Sequence, residues 1–113
     1  MKKKTRTALP APFTAIRRRY PELCAAYDAL GEQARRAGPL DAKTHALVKL
    51  GLALGARLEG ASHAHVRRAL EAGCTPDEVR HVALLAVTTL GFPAMMTALG
   101  WVEDVLGRPA AKS

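Results

Sequence analysis

The chain has 113 residues, of which 49% are apolar, dominated by 22 Ala and 15 Leu against seven Val and one Ile. That alphabet predicts one small all-α domain, because unbranched side chains keep their rotamer freedom in a helix, and it excludes a β-sandwich or barrel. The net charge is +7, but residues 1–20 hold seven basic and no acidic side chains, while the rest of the chain carries ten of each sign.

In chain order, residues 1–11 read as a basic flexible arm, 12–107 as a single helical domain and 108–113 as a tail. A short first helix is predicted over Pro12 to Tyr20, stopped by Pro21, which disfavours helical geometry in the residue before it. Pro21 suits the first turn of a second helix reaching about Ala37, with Leu23, Ala26, Tyr27, Leu30 and Ala34 at helical spacing. Gly38-Pro39 ends it.

A third helix starts at Asp41, a good N-cap, and runs to about Arg57. Leu47, Leu50, Leu54 and Leu58 mark one face, and Val48, Leu52 and Ala53 widen it until the helix is expected to be buried on several sides. The fourth helix is expected over Ala61 to Ala72, closed by Gly73. Ser62, His65, Val66, Ala69 and Leu70 form its packed stripe, and His63, Arg67 and Glu71 its solvated one. Thr75-Pro76-Asp77-Glu78 is a capping box that opens a fifth helix predicted to reach Leu90. Gly91-Phe92-Pro93 breaks the pattern. A sixth helix follows from Pro93 to Leu106, closed by Gly107 and Pro109.

Val82 to Val102 carries no charge over 21 residues, but the Gly91-Phe92-Pro93 break splits it into halves too short to span a bilayer. A buried helical pair or a subunit interface is the expectation, with no membrane. Cys24 and Cys74 form no CxxC, and no apolar leader follows the first lysines, so reduced thiols and a cytoplasmic location are expected. No zinc-ligand set, recognition helix or aromatic platform accompanies the basic arm, so nucleic acid is not an expected partner.

Proton-handling groups concentrate in Glu59-Gly-Ala-Ser62-His63-Ala-His65. His63 and His65 lie two apart and point about 200° from each other on a helix, so they do not share a metal within one chain. Neither metal nor cofactor is expected. Ser62 and His65 stand at i, i+3, without an orienting carboxylate or a nucleophile elbow. General acid–base work suits His65 better: an imidazole on the apolar face beside Glu59 would titrate near neutrality. The competing structural reading makes His65 a buried histidine satisfied by one hydrogen bond, with Glu59 and Ser62 as caps. His45 and His81 read as surface or packing residues.

The run Leu40-Asp41-Ala-Lys43-Thr44-His45-Ala46-Leu47-Val48, then Glu59 through His65, then Ala72-Gly73-Cys74-Thr75-Pro76-Asp77-Glu78-Val79, resembles the carboxymuconolactone decarboxylase-like family, which includes alkyl hydroperoxidase D. The likeness extends over roughly residues 22–107. It implies a six-helix alkyl hydroperoxidase D-like orthogonal fold, homo-oligomers such as trimers or hexamers, and either thiol peroxidase or lactone decarboxylation chemistry. The family histidine corresponds to His65. The two cysteines of the peroxidase branch fall on Leu58 and Ala61, and its glutamate on Ala46. A leucine or alanine forms no thiolate, so the dithiol mechanism is absent at its usual positions. The decarboxylase branch places a glutamate four residues before the histidine, again at Ala61.

The reading that results is a homo-oligomeric, His-mediated acid–base enzyme acting on a small lactone or related acid, with His65, Glu59 and Ser62 as candidate catalytic residues. Its alternatives are a non-catalytic oligomeric binding or assembly module, and residual peroxiredoxin-like activity through Cys74.

Overall fold

The structure, a computed structural model, describes residues 11–107; residues 1–10 of the expected arm and the tail at 108–113 lie outside them. Among the described residues there are six α-helices, one 3₁₀ turn and no strand. The backbone divides into two compact units, one ending at Leu40 and the other beginning at Asp41.

In the first unit α1 (Ala11–Arg19) leads into α2 (Pro21–Arg36). Arg17 ties them with a two-pronged hydrogen bond to Asp28, 2.8 Å on each side, and its guanidinium lies over the Phe13 ring at 4.8 Å. Pro21 takes the first turn of α2, as its fixed φ favours. The predicted apolar stripe forms but is not covered: Leu23, Tyr27 and Leu30 are 61%, 68% and 66% exposed.

The second unit holds α3 (Ala42–Gly55), α4 (Glu59–Glu71), α5 (Pro76–Leu84), a 3₁₀ turn over Leu85–Thr88, and α6 (Phe92–Leu106). Its core is Leu50 from α3, Val66 and Ala69 from α4, Val79 and Ala83 from α5, and Ala98, Val102 and Val105 from α6. Alanines at 69, 83 and 98 are buried where a larger side chain would hold the helices apart.

Caps set the boundaries. Asp41 accepts from the Thr44 N–H at 2.8 Å. Both arms of the Thr75 capping box form, at 2.9 and 3.0 Å. Besides the end of α3, at Gly55 rather than about Arg57, two boundaries differ from the sequence reading by two residues or more. First, α4 begins at Glu59 rather than Ala61, because Arg57 adopts φ 62° and turns the chain early. Second, α5 ends at Leu84 rather than Leu90. The chain tightens into the 3₁₀ turn, and the Ala86 carbonyl then accepts from the N–H groups of Thr89, Leu90 and Gly91.

The burial on several sides expected for the third helix is not found within the described residues. Val48 and Leu52 are exposed, because only the Ala46, Leu50, Ala53 and Leu54 face is buried. The uncharged 82–102 stretch likewise leaves Leu84, Leu85, Phe92 and Met96 in the open. No helix among the described residues is long and apolar enough to cross a membrane.

Candidate functional site

The packing of α3 on α4 places the family histidine. His65 stands one turn before Ala69 and beside the fully buried Val66, whose side chain faces the core; the imidazole is therefore half-buried. The charged groups acting on it are cationic or neutral: Arg68 on its own helix, and Lys49 and His45 from α3. Among the described residues its ring makes no hydrogen bond. Burial foremost, then the positive fields of Arg68 and Lys49, push its pKa down to about 4.

The expectation of titration near neutrality beside a carboxylate is thus corrected. Glu59 precedes His65 by six positions, which puts the two about 120° apart around the helix. Glu59 instead shares a face with His63, four residues on, and a donor atom of each lies within 4.8 Å of one of Asp104 from α6. The His63 Nε2–H donates to Asp104 Oδ2 at 3.1 Å.

Ser62 is fully buried, and its hydroxyl has no hydrogen-bond partner among the described residues. The Ser62–His65 pair that the spacing allowed is therefore not joined. The helix cap expected from Ser62 is not formed either, since Ser62 lies inside α4 and Leu58 takes the N-cap position.

Cys74 is buried, with its thiol directed at the Lys43 carbonyl at 3.8 Å. Burial first, and then the charge of Glu78, push its pKa up, the opposite of what a reactive thiolate requires. At the positions that correspond to the peroxidase cysteines and glutamate, Leu58 is exposed, Ala61 half-buried and Ala46 buried. None offers a thiol or a carboxylate.

Two groupings escaped the sequence reading. His45 and Lys49 stand at i, i+4 on α3 and both act electrostatically on His65, whereas the sequence offers His45 only as a surface or packing residue. Glu59 and His63 stand at i, i+4 on α4, a spacing visible in the sequence once the helix is started at Glu59.

The helical fold is the context in which the comparisons with known proteins are read. The carboxymuconolactone decarboxylase family model matches residues 21–104, and the chain belongs to that family. A carboxymuconolactone decarboxylase family protein from Legionella pneumophila has a similar structure, with a TM-score of 0.71 and 26% identity, over 84% of this chain and 85% of that one. An uncharacterized protein of Haemophilus influenzae is 39% identical over 57 residues, and the chain spans 50% of its length.

Proposed function

We propose that the chain is an acid–base enzyme of its family, acting through His65 on a small carboxylated lactone or related acid. The observation that carries the reading is a half-buried neutral imidazole with Lys49, Arg68 and His45 around it and no carboxylate among the groups that shift it. Lys49 and Arg68 favour an anionic ligand, since an opposite charge is stabilised in a partly desolvated setting. A bound carboxylate would offset the positive field that holds the imidazole neutral. His65 then takes up a proton as the ligand binds. In decarboxylation the bond between carbon and carboxylate breaks, CO2 leaves, and the electron pair stays with the conjugated lactone. The proton held by His65 ends on carbon, so charge and atoms balance.

The test is CO2 release from a carboxymuconolactone. The wild type should release it, and His65→Gln should be slower by roughly 10²-fold or more, the usual scale for loss of a general acid. Cys74→Ser should leave the rate unchanged. Equal rates for the wild type and His65→Gln would reject the assignment.

A second reading, an oligomeric binding or assembly module, is favoured by the uncovered Leu23, Tyr27 and Leu30 stripe of α2. Large exposed apolar patches mark interfaces, and a homo-oligomer would bury them. The two readings are compatible if assembly covers α2 while His65 works. They separate if the assembled protein shows no turnover.

A further inference from the structure

We propose that Glu59, His63 and Asp104 form a binding site for one divalent transition-metal ion. One donor atom from each side chain lies within 4.8 Å of the other two. Two helices supply the site. Glu59 and His63 are successive positions on one face of α4, the i, i+4 spacing that lets helical side chains converge on one ion. Asp104 comes from α6, which packs on α4, with Val66 and Val102 fully buried in the core the two helices share. The convergence therefore follows from core packing rather than from loop geometry.

Donors bound to one ion at ~2.1 Å stand roughly 3–3.5 Å apart. His63 Nε2 and Asp104 Oδ2 already have that spacing, at 3.1 Å. Glu59 is exposed and makes no ion pair among the described residues, so a rotamer change closes the remaining distance. Coordination through Nε2 requires its proton to move to Nδ1, leaving a neutral imidazole, and Asp104 then shares the ion in place of that proton.

One imidazole and two carboxylates form a mixed nitrogen and oxygen set. Such a set suits zinc, cobalt, nickel or manganese, whereas magnesium and calcium take oxygen ligands alone. Three protein ligands leave coordination positions open to water or to a small anion. The site lies on the face of α4 that carries His63, about 200° around the helix from His65. It is independent of the acid–base proposal. This grouping departs from the expectation of no metal, which weighed only His63 with His65.

The only tryptophan, Trp101, lies three residues before Asp104 on α6, close enough for a paramagnetic ion at the site to quench it. Titrating the full chain with Co²⁺ should quench Trp101 in a saturable manner, with one ion per chain. Glu59→Gln and His63→Ala should each weaken that binding at least tenfold while the helical circular dichroism is unchanged. Both variants keep Cys24 and Cys74, so binding through thiols would survive in them. Absence of saturable quenching, or quenching that the two variants leave intact, would overturn the proposal and leave His63–Asp104 as a plain clasp between helices.

Discussion

His65 carries a signature that can be read without a substrate. Its folded pKa of about 4 lies below the ordinary value of 6.5, so between those values the unfolded chain binds more protons than the folded one. Stability therefore falls as the pH drops through that window and is recovered above 6.5. At ~1.4 kcal/mol per pKa unit, reduced for partial exposure, the effect is on the order of 2–3 kcal/mol. Denaturant unfolding of the wild type at pH 7 and pH 4.5 should show most of this loss, and His65→Gln should flatten it. A slope that survives the substitution would mean that other groups set it. Ser62 supplies a second residue-scale test. A buried hydroxyl without a partner costs ~1–3 kcal/mol, so Ser62→Ala should be neutral or stabilising in the same unfolding measurement. A clear loss of stability would show that the hydroxyl is bonded. Periodicity in the sequence placed His65 on the packed side of its helix. It did not reveal the imidazole's electrostatics, because Lys49 and His45 reach it from a different helix.

The helices were legible wherever a local signal decides an end. Asp41, the Thr75 capping box and Gly107 all act where the sequence placed them, since each works within about one turn of chain. Thr75→Ala removes one of the two reciprocal bonds and should cost ~1 kcal/mol, within a range of about 0.5–2, measured by thermal unfolding. No loss would mean that water replaces the cap at no cost. The misread ends are those where tertiary geometry intervenes. Nothing in Leu84-Leu85-Ala86-Val87 signals a change from α to 3₁₀, and Arg57 at positive φ has no glycine to announce it. Gly51 inside α3 tests the packing itself. A Cβ there would meet Val82 Cγ1 at 3.6 Å, an ordinary contact. Gly51→Ala should then stabilise by about 0.5–1 kcal/mol through helix propensity alone, and a destabilised variant would show a tighter α3–α5 fit.

Across the whole molecule, periodicity located the apolar faces but not which of them the chain covers itself. Leu50 and Leu54 are buried while Val48 and Leu52, on the same helix, are exposed, because α4 and α5 pack on one side of α3 only. The exposed remainder, with Leu23, Tyr27 and Leu30 on α2, supports the proposed homo-oligomer. Leu23→Glu together with Tyr27→Glu should shift sedimentation towards the monomer, since a charge buried in an interface is costly. An unchanged oligomer would place the contact elsewhere. The most direct test of the central proposal is the histidine NMR titration of His65 in the full chain, alone and with a saturating carboxylated lactone. Alone, the imidazole should stay neutral down to about pH 4, and with the carboxylate bound its pKa should rise while the complex takes up a proton. An imidazole that titrates at its ordinary value, or one that the bound carboxylate does not move, would contradict it.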